Sequence, residues 1–489
     1  MSTYYRFRSA ERLLGRAANG DSPARPGELD DLTIYFASPQ ELNDPLEGHR
    51  ETYFEGDLIV WRNLIKHYTL LLYAATINVY ASGEDGTITD INLRPQNFPE
   101  QSQQLINKII IMILSCPPIA DYINSLAGSQ RRVSRLELSV HLMTLHNAIL
   151  THILSELEAP LEIPDANQFK SVLNSFLDFI SMRSKQISIE GSNPDTSAYK
   201  DIKSKIKQQF LRGNAARESE LNKGMLQLFV NFPDEFCQQI DYLIYPRWYV
   251  ACFIKSCSNS AIWGSYGDNH KGICLIYKSK EFRGTDCLTL HQLPFEFVKA
   301  YNWGRPKNEV FLAMPLQLPL AQVKYEPIYT KPNFFTSLLY DNKEWVLHYW
   351  YSGENEKISS CAAWLSEKPS MLFPNHRNSF QQSLTTKTAH WENETESRII
   401  ISGLPWKPEE RLAKYYFSEL EGLIFGINTP DEVKVKVIRK IAFHCAKEHR
   451  SNFKFYQARF DETYSTIEHD HLKHITFNID GTLNLTPAI

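Results

Sequence analysis

The spacing of hydrophobic and polar residues divides this chain into stretches typical of strands and stretches typical of helices. At the start, short apolar runs alternate with polar turns, which predicts strands at residues 4–7 and 32–37 and a short helix at residues 10–16. A polar loop with Gly and Pro separates this helix from the second strand. Residues 1–55 are therefore predicted to form the first part of an α/β core.

Between about residues 57 and 241 the apolar positions recur with the period of a helix. In residues 132–157 the apolar side chains fall largely on one stripe, and residues 169–187 repeat the pattern. Prolines punctuate the predicted helices. We therefore predict an all-helical insertion domain at residues 56–245.

Two stretches of this insertion are apolar enough to be tested as membrane spans. Residues 68–81 and 105–114 both fall short of the roughly 20 residues that a spanning helix needs. The second stretch also contains Lys108. We expect buried core helices here and no membrane partner.

Strand patterns return after the helical stretch. The predicted strands lie at residues 248–253, 272–277, 296–301, 324–328, 397–401, 423–427 and 454–458. Residues 429–442 predict a helix with Thr429 as N-cap and Pro430 in the first turn. A polar tail follows the last predicted strand.

Together these elements predict an α+β fold. Its mixed-sheet core is expected to combine residues 1–55 with residues 246–489, and the helical domain at residues 56–245 is inserted between them. A second, smaller helical insertion is expected at about residues 336–380, where the strand pattern is interrupted.

Composition and charge favour a globular protein with a small-molecule or protein ligand. The net charge of −4 excludes the overall basic character of a dedicated nucleic-acid binder, although it leaves a local basic face open. The eight Cys include no CxxC pair, which favours reduced thiols over a disulfide framework or a zinc site. The first residues lack the apolar core of a signal peptide. We therefore expect a cytoplasmic protein.

Four short segments concentrate polar and aromatic residues that a packed core does not need. They are residues 5–8, 38–45, 263–272 and 391–398. Each ends or interrupts a predicted strand, where a scaffold can bring distant residues into one pocket. We expect a polar pocket built from these segments.

The same segments resemble, in order, the motifs of a bacterial family known as domain of unknown function 2971. Tyr5-Arg6-Phe7-Arg8 is similar to the family's opening strand, and Asn43-Asp44-Pro45 is similar to its Asn-Asp-Pro segment. The later motifs are matched by Trp263, Tyr266, His270, Lys271, Gly272, Lys387, Trp391, Glu394, Glu396 and Arg398. Ser397 departs from the aromatic residue that is usual before the arginine. The resemblance covers the motif segments only, and the family name implies no activity.

Glu394, Glu396 and Arg398 form the strongest candidate for chemistry. On a strand, residues two apart share one face, so the two carboxylates would lie about 7 Å apart and Arg398 would continue that face. Paired carboxylates can stabilise a ribosyl oxocarbenium ion or hold a divalent metal. A salt-bridged, exposed strand face is the structural alternative. We predict catalytic roles for Glu394 and Glu396 and a cofactor contact for Arg398.

The third segment offers an aromatic pair and a histidine. Trp263 and Tyr266 could stack on a planar ring, and His270 could act as an acid or base near neutral pH. Alternatively, the aromatic pair packs a turn onto the sheet and His270 caps it. We predict catalytic roles for Tyr266 and His270, and cofactor contacts for Trp263 and Lys271.

The first two segments supply candidate ligand contacts. Arg6 and Arg8 share one strand face, and their guanidinium groups suit a phosphate or a carboxylate. Pairing with Glu394 or Glu396 is an equally good interpretation. Asn43 and Asp44 either form an Asx-type turn or contribute to the pocket. We predict that Arg6, Arg8, Asn43 and Asp44 bind a cofactor.

The order of these residues is similar to that of mono-ADP-ribosyltransferase folds, which follow an early basic strand with a middle Tyr or Ser and a late ExE strand. In this hypothesis Arg8 or Arg6 holds the phosphate or ribose of NAD, Tyr266 stacks on nicotinamide, and Glu396 stabilises the ribosyl cation. NAD is then the expected co-substrate of an effector in phage defence or toxicity. This rests on motif order alone.

Two other hypotheses stay open at the level of the sequence. Glu394, Glu396 and Asp44 could bind magnesium in a nuclease or phosphodiesterase, so a nucleic-acid substrate is not excluded. In a non-enzymatic sensor, the helical insertion would bind a protein partner while the pocket holds a small molecule or nucleotide. Walker A, GxGxxG, HExxH and GxSxG motifs are missing, which disfavours the corresponding enzyme classes.

Overall fold

Strands dominate one unit of this chain, and helices dominate the other. The computed structural model describes residues 2–18, 24–44, 52–83, 85–129, 131–157, 166–189, 201, 204–205, 207–208, 212, 223–293, 315–326, 331–338, 343–366, 384–403, 406–478 and 480–484. The sheet unit comprises Met1–His49, Pro246–Tyr329 and Gln381–Ile489. The helical unit comprises Arg50–Tyr245 and Thr330–Phe380, so the second helical passage belongs to the same unit as the first.

The elements of both units follow here in chain order. The strands are β1 (Thr3–Arg8), β2 (Gly15–Arg16), β3 (Arg25–Pro26), β4 (Thr33–Tyr35), β5 (Tyr53–Phe54), β6 (Val133–Ser134), β7 (Arg247–Ile254), β8 (Ile273–Lys278), β9 (Lys280–Phe282), β10 (Thr285–His291), β11 (Leu316–Pro319), β12 (Ala321–Gln322), β13 (Lys324–Tyr325), β14 (Thr386–Lys387), β15 (Glu396–Gly403), β16 (Leu412–Tyr415), β17 (Leu420–Phe425), β18 (Lys454–Asp461) and β19 (Thr466–His471). The α-helices are α1 (Ala10–Leu14), α2 (Glu28–Asp31), α3 (Leu58–Ser82), α4 (Glu100–Ser115), α5 (Pro117–Gly128), α6 (Arg135–Glu156), α7 (Ala166–Ile189), α8 (Lys223–Leu226), α9 (Phe232–Gln239), α10 (Ser260–Ser265), α11 (Lys343–Val346) and α12 (Asp431–Lys447). The chain therefore has the predicted α+β fold.

The sheet unit is built on an eight-stranded mixed sheet. Its strand order is β12-β15-β7-β1-β8-β17-β18-β19. Strands β17 and β18 pair in parallel, with α12 between them in the chain, and the other neighbours pair antiparallel. A second sheet has the order β11-β10-β16-β4, and β9 pairs with β10 at its side.

The two faces of the large sheet pack against different elements. One face and the second sheet share a core that includes Tyr4, Phe253 and Leu288, and α12 adds Val437 and Ile441 to it. On the opposite face, helix α10 packs against β1 and β8. Because successive strand side chains point to opposite faces, adjacent residues of β1 serve different cores.

The large sheet opens between β1 and β7. Strand β1 pairs with β8 along its whole length, from Thr3 to Arg8, but it pairs with β7 only at Tyr5, opposite Ile254. Farther along β7, Val250 exchanges two backbone hydrogen bonds with Ala37, at 2.8 and 2.9 Å. The chain that follows β4 therefore takes the pairing position that β1 leaves, and a gap opens between the two strands.

The helical unit surrounds helix α6. This helix is buried on nearly all sides, as expected for the central helix of a bundle. Its polar side chains have partners: His146 Nε2 donates to the Leu228 carbonyl at 2.6 Å, so its Nδ1 accepts from the Tyr68 hydroxyl at 2.8 Å. Within the described residues, no single helix is long and apolar enough to cross a membrane, and α4 and α5 pass that test only as a pair bent by 71°.

Several predicted details of the strands and helices are wrong. Thr429 is not the N-cap of α12; Pro430 occupies that position, and the Thr429 hydroxyl donates to the Gly272 carbonyl at 3.0 Å. Strand β19 follows β18 where a polar tail was expected. The prediction also missed β11 and β16, because strands of four residues give a weak alternating pattern, and it missed β10, whose buried residues are consecutive rather than alternating. The strand predicted at residues 296–301 lies outside the described residues.

Candidate functional site

A cavity of about 470 Å³ lies at the opening between β1 and β7. Its wall combines residues from all four polar segments of the sequence, among them Arg6, Arg8, Asn43, Tyr266 and Glu396. Its volume falls in the range of roughly 300–1,000 Å³ that is usual for small-molecule sites. The gap in the sheet thus forms a polar pocket from residues that are distant in sequence.

Strand β1 contributes two arginines to the cavity wall, one with a counter-charge and one without a counter-charge in the part of the chain that the structure describes. The Arg8 Nε is 2.9 Å from Glu28 Oε2, so this guanidinium already has a counter-charge. Arg6 is 3% exposed, donates from Nη2 to the Tyr35 carbonyl at 3.1 Å, and lies 5.4 Å from the centre of the Phe253 ring. Its Nε and Nη1 are buried and have no hydrogen-bond partner. The alternative interpretation, in which these arginines pair with Glu394 or Glu396, is not observed among the described residues.

The two predicted carboxylates meet around Lys387. Glu394 ends a 3-10 turn (Ala389–Glu394), Thr395 follows in the left-handed conformation at φ 45°, and Glu396 begins β15. The prediction that both glutamates lie on one strand is therefore wrong. Lys387 Nζ lies 2.7 Å from Glu394 Oε2 and 3.5 Å from Glu396 Oε2, and all three side chains are buried.

Arg398 supports Glu396 from within the protein. It is 1% exposed and donates from Nε and Nη2 to the two oxygens of Glu396, at 2.8 and 2.9 Å, and from Nη1 to the Leu384 carbonyl. Burial alone would raise the pKa of Glu396, but the charge and hydrogen bonds of Arg398 lower it below its ordinary value. Arg398 is not part of the cavity wall, so its predicted cofactor contact has no support in this geometry.

Tyr266 joins the third segment to the carboxylates. Its hydroxyl donates to Glu394 Oε1 at 2.6 Å, and its side chain lines the cavity. Burial raises the pKa of Tyr266 above its ordinary value, and the hydrogen bond to Glu394 raises it further. The phenol therefore stays protonated at neutral pH and holds the carboxylate in one orientation.

The other candidates of the third segment lie outside the cavity wall. Trp263 is 0% exposed, donates from Nε1 to the Cys257 carbonyl at 2.8 Å, and contacts Phe7 edge to face, so it is a core residue. His270 has φ 65°, and its carbonyl accepts from the Asn428 backbone. Lys271 is exposed. The structural interpretation of Trp263 is thus the better one.

The second segment forms a short turn, Pro39–Glu41, at the rim of the cavity. Glu41 accepts from the Tyr35 hydroxyl, from the Ser38 backbone and side chain, and from Arg411. Asn43 lines the cavity, whereas Asp44 is not part of its wall and is 4% exposed.

The sequence prediction did not include several wall residues. Tyr5, Arg12, Tyr35, Glu41, Asp268 and Lys387 line the cavity as well. Two of these residues, Glu41 and Lys387, could have been found from the sequence. Glu41 stands three residues after Ser38, which is the spacing of a capping box, and Lys387 belongs to the motif of the fourth segment.

A search of protein-family models finds no match to the chain, and searches of curated proteins and of solved structures find none. The resemblance to domain of unknown function 2971 stays a prediction. The described residues contain no group of three or more His, Cys, Asp or Glu side chains that could hold a metal ion. Between Glu394 and Glu396, the position a divalent cation would take holds the Lys387 ammonium.

Proposed function

We propose that this cavity binds NAD and transfers or hydrolyses its ADP-ribosyl group. The observation that best supports the proposal is that Arg8, Tyr266, Glu394 and Glu396 line one cavity. These residues come from three distant segments, in the chain order of the ADP-ribosyltransferase hypothesis. A cavity lined by both arginines and carboxylates suits a ligand with phosphates at one end and a pyridinium glycoside at the other.

The proposed reaction needs a carboxylate near the sugar. The bond between ribose C1′ and the nicotinamide nitrogen breaks, and its electron pair stays with nicotinamide. Positive charge then develops on C1′ and the ring oxygen, where a fixed negative charge stabilises the transition state. Water, or the hydroxyl of an acceptor, bonds to C1′ and loses its proton to solvent or to a carboxylate.

We assign the charge-stabilising role to Glu394 rather than to Glu396. Glu396 has two charged partners, because both of its oxygens accept from Arg398 and one also lies 3.5 Å from Lys387 Nζ, whereas Glu394 has one charged partner, Lys387. Glu394 has one oxygen bonded to Tyr266 and the other to Lys387, and these two donors fix its position at the cavity wall. A carboxylate held in this way needs little reorganisation during the reaction.

The test is the release of nicotinamide from NAD by the purified protein, measured by chromatography. We expect turnover by the wild type and a loss of about 100-fold or more in Glu394→Gln. Glu392→Gln is the matched control, since Glu392 is exposed on the same turn and does not line the cavity. A wild type without turnover, or equal turnover in Glu394→Gln, would refute the proposal.

The biological setting is also part of the proposal. All eight cysteines are free thiols, and six of them are buried, which supports a reducing compartment such as the cytoplasm. An enzyme that consumes NAD there would deplete a cofactor of the whole cell. This favours an effector in phage defence or toxicity over a housekeeping role.

A further inference from the structure

Arg6 is the one group of the cavity wall whose buried charge has no counter-charge among the described residues. It is 3% exposed, yet Nε and Nη1 have no hydrogen-bond partner. An arginine has five N–H donors, and three of them belong to these two nitrogens. The Tyr35 carbonyl and the Phe253 ring are its observed contacts, and neither carries a charge.

Arg398 is a buried arginine with a structural role, and each of its three side-chain nitrogens has a hydrogen-bond acceptor. It is 1% exposed, and it has two bonds to Glu396 and one to the Leu384 carbonyl. An unpaired buried charge is costly, and proteins retain such groups mainly where a ligand pairs with them. Arg6 therefore differs from Arg398 in pairing and not in burial.

The acidic groups of the cavity do not neutralise Arg6. Glu41 pairs with Arg411, and Glu394 and Glu396 pair with Lys387. Asp268 is exposed at the wall and forms no ion pair with Arg6. Two further cations, Arg8 and Arg12, line the same cavity, and Arg8 is balanced by Glu28. The uncompensated charge lies at the gap in the sheet.

We propose that Arg6 forms an anion subsite that takes a phosphate group of a small-molecule ligand. A phosphate offers several oxygens in a tetrahedral arrangement, and these are the charged acceptors that the donors on Nε and Nη1 lack. Arg12 and Asn43 line the same cavity, are exposed, and supply further donors for a second phosphate or for the adjoining sugar. The link to a dinucleotide rests on the proposed function, whereas the phosphate itself is inferred from Arg6.

The experiment measures the binding of defined probes by calorimetry and by the shift in melting temperature. The probes are inorganic pyrophosphate, ADP-ribose and adenosine, with sodium chloride at matched ionic strength. We expect pyrophosphate and ADP-ribose to bind and to raise the melting temperature of the full chain, whereas adenosine should not. Binding of ADP-ribose without pyrophosphate would assign the subsite to a nucleotide phosphate rather than to a free anion.

Two variants of Arg6 and one control complete the design. Arg6→Gln should weaken the binding of pyrophosphate and ADP-ribose at least 30-fold. Arg6→Lys should retain part of this binding, because lysine keeps the positive charge but lacks the planar set of N–H donors of a guanidinium group. The unliganded Arg6→Gln protein should melt no lower than the wild type, since the replaced charge is unpaired. The matched control is Lys278→Gln, an exposed cation at the end of the neighbouring strand β8.

The outcomes separate this inference from the proposed function. Undiminished pyrophosphate and ADP-ribose binding in Arg6→Gln, or no phosphate-bearing probe bound by the wild type, would overturn it. Should Arg6→Gln fold poorly, Arg6→Met takes its place, and undiminished binding of both probes by that variant would overturn the inference in the same way. Arg6-dependent phosphate binding without nicotinamide release would refute the proposed function and leave the subsite standing.

Discussion

The Tyr266 hydroxyl donates a 2.6 Å hydrogen bond to Glu394 Oε1, although 128 positions separate the two residues in the chain. This bond joins the loop after α10 to the turn before β15 at the wall of one cavity. It also fixes the direction in which Glu394 presents its charge. The candidate site therefore depends on a contact that no local pattern contains.

Replacing Tyr266 by Phe should reduce nicotinamide release while leaving the fold intact. The ring would still pack, but Glu394 would lose the donor that orients it, and a hydrogen bond to a charged group contributes about 1.5–3 kcal/mol. We expect kcat to fall about tenfold or more with a smaller change in KM. Tyr464→Phe serves as the control because this phenol is 76% exposed, and equal kcat in the two variants would exclude an orienting role for Tyr266.

Lys387→Met should destabilise the sheet unit strongly. The substitution leaves Glu394 and Glu396 buried without the ammonium that lies between them, and breaking a buried ion pair costs about 3–5 kcal/mol. Denaturation in urea would measure the change. Adding Glu394→Gln to Lys387→Met should restore part of the stability, since it removes the carboxylate that has lost its counter-charge, whereas Glu396 keeps Arg398. If the double variant is no more stable than Lys387→Met, the coupling between these residues is not electrostatic.

Glu41 should make the stability of the protein depend on pH in the acid range. Burial alone would raise the pKa of Glu41, but the hydrogen bonds from Ser38, Tyr35 and Arg411 lower it to about 2, from an ordinary value near 4.5. The folded pKa is the lower one, so the stabilisation is complete above about pH 4.5 and is lost as the pH falls towards 2. The melting temperature of Glu41→Gln should therefore vary less with pH in this window than that of the wild type. Glu281→Gln, an exposed carboxylate on β9, should behave as the wild type does.

Gly272→Ala should disrupt the loop beside the cavity. A Cβ at this position would lie 2.5 Å from the Arg8 carbonyl oxygen and 2.9 Å from that of Gly267, so the backbone must move. We expect a loss of roughly 1–3 kcal/mol in unfolding free energy, as is typical of overpacked sites. The control is Gly264→Ala inside α10, where an added Cβ meets no atom within 4 Å. This substitution should raise the unfolding free energy by about 0.5–1 kcal/mol, because alanine favours a helix more than glycine does. Similar stabilities for the two variants would contradict this account of the loop.

The strands and helices show where sequence patterns suffice. The period of 3.6 residues in 132–157 predicts a helix, and α6 occupies Arg135–Glu156. Short strands such as β11 and β16 contain too few residues for an alternating pattern, and these two strands of the second sheet were missed for this reason. Thr429 has the identity of an N-cap, but its hydroxyl bonds to the Gly272 carbonyl, a partner that only the folded loop supplies.

For the candidate site, the sequence by itself determined which residue types are present and in what order, because motifs are local. It could not decide which of those side chains reach the cavity. Arg6 and Arg8 look equivalent on a strand, yet Arg8 pairs with Glu28 while two nitrogens of Arg6 remain without a partner.

The tertiary structure alone decided that β1 separates from β7, since Ala37 takes the pairing position of β1. It also decided that the left-handed backbone of Thr395 lets Glu394 and Glu396 share Lys387. The physical reason is that periodicity reflects the neighbours of a residue along one helix or strand. Strand pairing joins distant segments, and the pairing of buried charges depends on how a turn such as that at Thr395 orients its side chains.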